Sequence, residues 1–425
     1  MNFVKQLAAK PLLRLTSLNG ISILIKIFIG FITSKIIAIF VGPSGMALVG
    51  NLRNFLTTIQ AVSTLGFESG IVKYVAEQKN DSVKLQQTLS TVFISVFVVC
   101  GFMSLFLFFY SDSLNTTVFS NQDRYGFIFK ALAFALPFYI GNIYSLAVIN
   151  GFGKFKNVVY VNIIGSFVGL LVSVLLIMNY KTEGALLSII ITPSLLFVVS
   201  FFYISKEIAV LKVIGFKFFN QSVLKRLSSY SLMALFSAIV GPMIYLAIRQ
   251  NIISTLGTEE AGFYEAMNRI SSYYLLFVTS VVSLYFLPKL STADSLQQTK
   301  SLFWKYYKTI LPLFSAGLIL IYFLRDFIID ILFTKEFLPV SELFFWQLLG
   351  DVFRAASLIL GIQFYAKKLT VAYLITEIFS FSILYFGSVY LISIFKIEGV
   401  VMAYALTFFS YLLVLGVYFR KSLFS

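Results

Sequence analysis

Apolar runs separated by short polar connections repeat along the whole chain, and most are too long for buried strands or ordinary core helices. At 1.5 Å rise per residue, about 20 apolar residues cross the hydrocarbon core of a bilayer, and on that criterion twelve membrane-spanning helices are predicted. Six lie in the first half, near 18–41, 46–69, 88–110, 127–149, 158–179 and 184–205. Six more lie near 230–256, 261–287, 309–331, 343–366, 370–395 and 399–419. The second span is not uniformly apolar. Arg53, Thr57, Gln60, Thr64 and Glu68 recur at steps of four, three, four and four, which at 100° per residue confines them to an arc of about 80°. That pattern predicts a wet stripe on an otherwise buried helix. The eighth span carries a similar stripe of Glu265, Arg269, Ser272, Thr279 and Ser283. The seventh places Ser237, Tyr245 and Arg249 around Gly241-Pro242, a pair able to kink a helix and turn carbonyls toward water.

With 59% hydrophobic and only 12% charged residues, the chain has too little polar surface to dissolve as a globule, and an all-α integral membrane protein is expected. The net charge of +15 does not point to nucleic acid, because the basic residues are scattered through short connections with no basic domain. Their placement reads as topology. One set of connections holds most of them, among them Lys5, Lys10, Lys73, Lys154, Lys212, Lys289, Lys305 and Lys367. The opposite set holds only Arg124, Lys181, Arg325, Lys335 and Lys396. Cytoplasmic loops carry the Lys and Arg excess, so both termini are expected in the cytoplasm. The apolar run after Lys5, Lys10 and Arg14 is longer than a signal h-region and lacks a small-residue cleavage site, which makes it the first span. The single cysteine, Cys100, and the absence of histidine exclude an internal disulfide, a His-containing metal site and a histidine proton relay; no cofactor or metal is expected.

The halves repeat. Gly45 matches Gly262, Lys73 matches Lys289, Lys154 matches Lys367 and Glu183-Gly184 matches Glu398-Gly399, at offsets of 217, 216, 213 and 215. Six spans per repeat is an even number, so the halves enter the membrane alike and are related by an axis along its normal. The expected architecture is two pseudo-symmetric six-helix lobes, 1–205 and 230–425, around a central cavity. Between them, 206–229 mixes Lys and Arg with Ile, Val and Phe; it either lies on the anionic lipids of the cytoplasmic leaflet or forms an ordinary solvated loop.

Charge inside the spans carries the functional reading. Lys35, Arg53, Arg249 and Arg269 lie roughly 7 to 9 Å to the periplasmic side of their span midpoints, and Lys35 to Arg249 and Arg53 to Arg269 are offsets of 214 and 216. A charge at the bilayer centre costs at least about 2.5 to 3.5 kcal/mol on insertion scales, so four cations at one level imply a water-filled cavity, an anionic partner, or both. Lys26 lies nine residues before Lys35, half a turn round an ideal helix. Both face the cavity only if the helix bends at Gly30; otherwise Lys26 meets the neighbouring helix or snorkels. Glu265 with Arg269, and Asp351 with Arg354, have the spacing of structural pairs on one helix. Arg53 has no acid one turn away and heads the clearest stripe, which makes it the leading site residue, with Gln60 beside it. Glu68, Glu265, Asp351 and Glu377 are the in-membrane carboxylates available for ion coupling.

A cationic, hydroxyl-rich lining suits phosphate or diphosphate, which Arg grips bidentately and Lys as a point charge, joined to a sugar. A lipid-linked glycan presents both while its acyl tail stays in the bilayer. The segments Phe40-Val-Gly-Pro-Ser-Gly-Met-Ala-Leu-Val-Gly-Asn-Leu-Arg53, Gly70-Ile-Val-Lys-Tyr-Val-Ala-Glu77, Trp346-Gln-Leu-Leu-Gly-Asp-Val-Phe-Arg354 and Tyr365-Ala-Lys-Lys-Leu-Thr-Val-Ala-Tyr373 resemble the O-antigen and lipid III flippase family. That family belongs to the multidrug, oligosaccharidyl-lipid and polysaccharide exporter superfamily, and the likeness runs in order over essentially the whole chain. It implies a monomeric, multi-pass protein of the bacterial inner membrane that moves an undecaprenyl-diphosphate-linked oligosaccharide by alternating access, upstream of polysaccharide polymerase machinery. It supports cation roles for Lys26, Arg53 and Arg249, and it leaves Arg269 less secure because the family often has a small polar residue there. Asp351, Arg354 and Glu377 match family positions whose role is lobe packing or ion coupling.

Two other classes stay open at this point. A drug exporter of the same superfamily would share the fold, although cationic drugs call for carboxylates in the cavity. A membrane glycosyltransferase or polymerase would use the same lipids, although it needs catalytic bases and usually an extramembrane domain, and the longest periplasmic connection, about 111–126, is short. No enzymatic activity is expected.

Overall fold

The computed structural model describes residues 11–120, 125–208 and 214–424, which are helical almost throughout. Lys5, Lys10, Arg124 and Lys212 of the loop-charge pattern lie outside the described residues. In the first half the helices are α1 Pro11–Phe40, α2 Gly42–Ser63, α3 Glu68–Gln78, α4 Ser82–Phe109, α5 Ser111–Phe119, α6 Gly126–Gly151 and α7 Phe155–Ser205. A single 3₁₀ turn, Phe216–Phe218, precedes the second half. There follow α8 Gln221–Thr255, α9 Thr258–Val281, α10 Leu287–Ser291, α11 Leu296–Phe323, α12 Arg325–Leu332, α13 Val340–Lys367, α14 Thr370–Phe395, α15 Glu398–Tyr418 and α16 Arg420–Phe424. Among the described residues, ten helices are long and apolar enough to cross a membrane.

The internal repeat is written in the backbone as well as in the charges. Three pairs of residues 215 apart share a positive φ: Gly42 (73°) with Gly257 (107°), Gly153 (75°) with Lys368 (56°), and Lys181 (46°) with Lys396 (51°). The last pair also shares its ψ, −121° and −135°. A residue with a Cβ is disfavoured there, so its recurrence at one turn in each half reflects a common geometry. Three residues on, Gly184 and Gly399 bring the returning helix against the backbone of Leu176 and Leu391, again 215 apart, where a Cβ would run into the carbonyl. α7 is therefore two helices meeting at Lys181, which accounts for two of the predicted spans within one helical stretch.

The halves diverge at one place. α2 ends at Ser63, six residues short of the predicted span, because Leu65 and Gly66 both take left-handed conformations (φ 54° and 64°). The amides of Leu65 and Gly66 bond back to the carbonyls of Val62 and Ala61 at 3.1 and 3.2 Å, which closes the helix end. At the corresponding point of the second half, α9 instead passes through a π-helical turn, Val282–Phe286, into α10.

The helices gather into two compact units. The first comprises Met1–Val41 and Asn51–Pro242; the second comprises Gly42–Gly50 and Met243–Ser425. In the first, α6 packs on α7, α4 and α3, and α1 packs on α7. Small residues set these approaches: the edge of the Phe197 ring lies over Gly141, Leu196 over Gly165 and Val75 over Gly151. Cys100 of α4 is buried here as a free thiol. In the second unit α15 packs on α13 and α14, and α13 on α9 and α11, with the Tyr404 ring seated on Gly350. The first nine residues of α2 belong to this unit: Gly262 of α9 meets the Pro43 backbone so closely that no Cβ fits between them.

Candidate functional site

Within the first unit, the polar face of α2 leads to a half-buried carboxylate. Arg53 and Thr57 are exposed and Gln60 is half-buried, as a stripe requires. The Thr57 hydroxyl donates to the Arg53 carbonyl at 2.9 Å, so its polarity is spent on its own helix. The stripe does not continue to Glu68 along one helix, as expected from the spacing, because the left-handed turn intervenes and Glu68 begins α3. The turn nevertheless folds Glu68 back. Gln60 Nε2 donates to Glu68 Oε1 at 3.2 Å, and the Tyr139 hydroxyl of α6 donates to Gln60 Oε1 at 2.7 Å. Gln60 thus bridges a neutral phenol and a carboxylate.

The lysines of α1 take separate roles. α1 is a single helix through Gly30, and Lys26 Nζ donates to Asn162 Oδ1 of α7 at 3.4 Å. Of the three arrangements open from sequence, a bend at Gly30 toward the cavity, a contact with the neighbouring helix and snorkelling, the structure has the helix contact. Lys35 is half-buried, nine residues further along the same helix.

In the second unit, Arg249, Glu265 and Arg269 form one buried cluster. Arg249 of α8 donates through a terminal nitrogen to Glu265 Oε2 at 2.7 Å, and Arg269 Nε donates to Glu265 Oε1 at 3.2 Å. Arg249 and Arg269 are only 2% and 3% exposed. Both expected cations of this half are therefore packed against a shared acid in this conformation rather than lying on an open face. The Glu265 and Arg269 pair has the spacing read from sequence, while Arg249 joins from another helix. Gly50 makes room: a Cβ there would collide with the Glu265 carboxylate and stand 3.0 Å from the Arg249 guanidinium carbon. Two cations on one carboxylate leave a positive excess within these three residues, the electrostatic bias that an anionic ligand would find once the cluster opened.

Asp351 forms the other polar centre of this unit. It is fully buried on α13 and accepts from the Ser271 hydroxyl at 2.8 Å, the Tyr274 hydroxyl at 2.6 Å, the Tyr404 hydroxyl at 2.7 Å and Gln347 Nε2 at 3.3 Å. Arg354 does not pair with it directly, as its spacing suggested; Arg354 donates to the Tyr404 oxygen at 3.0 Å, so the phenol relays between them. On α14, Glu377 accepts from the Tyr411 hydroxyl at 3.1 Å. Four donors saturate Asp351 and join α9, α13 and α15, an arrangement suited to holding helices. Sequence reasoning missed Tyr139, Ser271, Tyr274, Gln347 and Tyr404. One signal was available: Tyr404 and Tyr411 are seven apart and so lie on one face of α15, each aimed at a carboxylate.

A family model described as polysaccharide biosynthesis protein matches residues 36–342. Two relatives, the lipid III flippases of Escherichia coli (strain K12) and Shigella flexneri, are each 27% identical over 394 residues, covering 92% of this chain and 94% of theirs. Among solved structures, an inward-facing conformation of a multidrug resistance MATE family transporter of the MOP superfamily aligns with a TM-score of 0.79 at 13% identity, over 93% of this chain and 94% of that one. A MOP superfamily transporter from Pyrococcus furiosus, described as having a binding pocket of reverse polarity, aligns at 0.71 with 15% identity, over 98% and 97%. At these identities the likeness to solved structures establishes the fold alone.

Proposed function

The chain belongs to the polysaccharide biosynthesis protein family, and we propose that it is a lipid-linked oligosaccharide flippase. Its cargo is an undecaprenyl-diphosphate-linked glycan, carried from the cytoplasmic to the periplasmic leaflet of the bacterial inner membrane by alternating access. The positive excess at the Glu265 cluster and the placement of Arg53 carry this reading: two arginines share Glu265 in one unit, and an exposed Arg53 heads a polar stripe in the other. A diphosphate is the ligand that such groups favour, and the names of the lipid III flippase relatives agree with it.

The full architecture is part of the proposal. Among the described residues ten helices qualify as spans on length and apolarity; α7, broken at Lys181, supplies one more crossing, and α2, about 33 Å long, supplies another despite its polar stripe. That makes twelve, arranged as six-helix lobes 1–205 and 230–425 joined by 206–229, with both termini in the cytoplasm. The protein works as a monomer and delivers its glycan to polymerising enzymes.

In this reading the flippase performs no bond chemistry. The diphosphate exchanges its hydration for guanidinium and ammonium groups, the sugars exchange theirs for hydroxyl and amide side chains, and the acyl chain stays in lipid. Arg53 meets the cargo in the first unit. In the second, the cargo diphosphate takes the place of Glu265 between Arg249 and Arg269. An exporter of cationic drugs would need open carboxylates, whereas Glu265 is held by two arginines and Asp351 by four donors. Complementation of a flippase-deficient strain by wild-type protein, and its loss in Arg53→Ala at equal membrane abundance, is the test.

A further inference from the structure

A second cationic centre lies at the end of the second unit that the loop charges assign to the cytoplasm, outside the clusters described above. Pro288 starts it. Proline has no amide hydrogen and its ring crowds the carbonyl four residues back, so the helix widens into the π turn Val282–Phe286, closed by the Leu287 amide bonding to the Val282 carbonyl. The wide turn presents Tyr285, 37% exposed, toward α11. Its hydroxyl oxygen accepts from Lys289 Nζ at 2.8 Å and from Lys305 Nζ at 2.7 Å, and the two ammonium groups lie 4.1 and 5.2 Å from its ring centroid.

Two like charges converge on one neutral oxygen, and neither lysine makes an ion pair among the described residues. The matched position in the first half differs. Lys73, 216 residues before Lys289, pairs with Glu77 at 3.9 Å, and the residue at the same offset from Glu77 is Ala293. An acid, Asp294, lies one residue further on, but it makes no ion pair with either lysine among the described residues.

The donor inventory then decides what the site takes. A phenol oxygen has two lone pairs, and both are occupied by the lysines, which leaves its O–H to donate outward. Each ammonium keeps two further N–H groups. The cluster therefore offers several donors, two positive charges and no free acceptor, which selects an oxyanion. Beside it, Lys289 edges a shallow depression of about 530 Å³ that also includes Thr292, Ser295, Gln298 and Ser301, with room for whatever the anion is attached to.

We propose that Tyr285, Lys289 and Lys305 form a surface site for lipid-borne phosphate, where a phosphate-bearing headgroup docks at the membrane face of the second unit. The choice of face and of lipid-borne ligand rests on the flippase reading. The same chemistry is supplied by the diphosphate of the cargo and by the headgroup of an anionic phospholipid.

The test uses full-length protein carrying Trp346→Phe, in nanodiscs of phosphatidylcholine with or without phosphatidylglycerol. Trp304, one residue from Lys305, is then the only tryptophan and reports binding. Farnesyl diphosphate is titrated, with farnesol as the uncharged control. The expected result is saturable binding of the diphosphate alone, weakened roughly tenfold in K289Q/K305Q, less in Y285F, and restored in K289R/K305R. If phosphatidylglycerol lowers wild-type affinity to that of K289Q/K305Q, the phospholipid headgroup is the occupant; if it has no effect, the occupant is the cargo diphosphate. Equal binding by wild type and K289Q/K305Q overturns the site, as does absence of any saturable signal in both lipid compositions. Binding that survives K289Q/K305Q but disappears in Arg53→Ala overturns this site and leaves the flippase reading intact. Loss of binding in K289Q/K305Q, in a protein whose Arg53→Ala variant transports normally, does the reverse.

Discussion

Arg249 and Glu265, on different helices and 16 residues apart in the chain, meet at 2.7 Å in an environment from which water is almost excluded. The same carboxylate holds Arg269 through its other oxygen, and Gly50 supplies the space. Burying charges is favourable only when they are paired with good geometry, and removing the shared partner strands what remains. Glu265→Gln therefore leaves two buried guanidiniums facing a neutral amide and should destabilise the protein by roughly 3 kcal/mol or more. Thermal unfolding in detergent measures this, and an unchanged midpoint would mean that the cluster is not formed in solution. Gly50→Ala should act in the same direction, since its methyl group displaces the carboxylate pinned between the arginines.

The turns at Lys181 and Lys396 predict stabilisation. Both side chains are exposed, and both residues sit at positive φ with ψ near −121° and −135°, where a Cβ is a liability and glycine is not. Lys181→Gly and Lys396→Gly should each raise stability by about 1 kcal/mol, less the added chain entropy of glycine. Melting curves of the two variants should shift alike, because the turns are repeats of one another. A drop in both would show that the lysine side chains make a contribution larger than the backbone strain.

Asp351 predicts a loss. Replacing it with asparagine exchanges one acceptor oxygen for a donor that faces groups already donating, so the contacts from Ser271, Tyr274, Tyr404 and Gln347 cannot all survive. The expected cost is about 1.5 to 3 kcal/mol for a hydrogen-bonded charge. Tyr404→Phe should cost less, and it should uncouple Arg354 from the cluster. If Asp351→Asn is stable but slows transport, the carboxylate serves turnover rather than packing.

Much of this molecule was legible in its sequence because bilayer insertion imposes a coarse rule that hydropathy reads directly. The spans, the repeat and the Glu265 and Arg269 spacing follow from period and offset. The end of α2 was not legible. Leu65 continues the apolar pattern of its span, and nothing in a leucine announces a left-handed backbone; only Gly66 beside it permits the turn. The partners of Asp351 were hidden for a different reason. Tyr274 and Tyr404 lie 77 and 53 residues from it, and such a convergence is set by helix packing rather than by any local pattern. Arg249 joined Glu265 in the same way, so the second-half members of the two repeat-matched cation pairs, Arg249 and Arg269, meet in one buried cluster.

Accessibility separates the arginines. Cysteines placed at Arg53 and Arg269 should differ in a resting preparation, because Arg53 is exposed and Arg269 is 3% exposed. A water-soluble maleimide should label the first readily and the second slowly. Addition of a lipid-linked diphosphate should protect Arg53→Cys and speed labelling of Arg269→Cys if Glu265 yields its place during transport. Unchanged rates at both sites would remove the exchange from the account.

Transbilayer movement in proteoliposomes tests the central claim most directly. Wild-type protein is reconstituted with a fluorescent undecaprenyl-diphosphate-linked oligosaccharide, and arrival of the glycan in the opposite leaflet is read with an impermeant quencher. The account predicts protein-dependent movement in the wild type, near-background movement in Arg53→Ala, and no acceleration of a phospholipid probe. Movement equal to that of empty liposomes, or equal in wild type and Arg53→Ala, would contradict it.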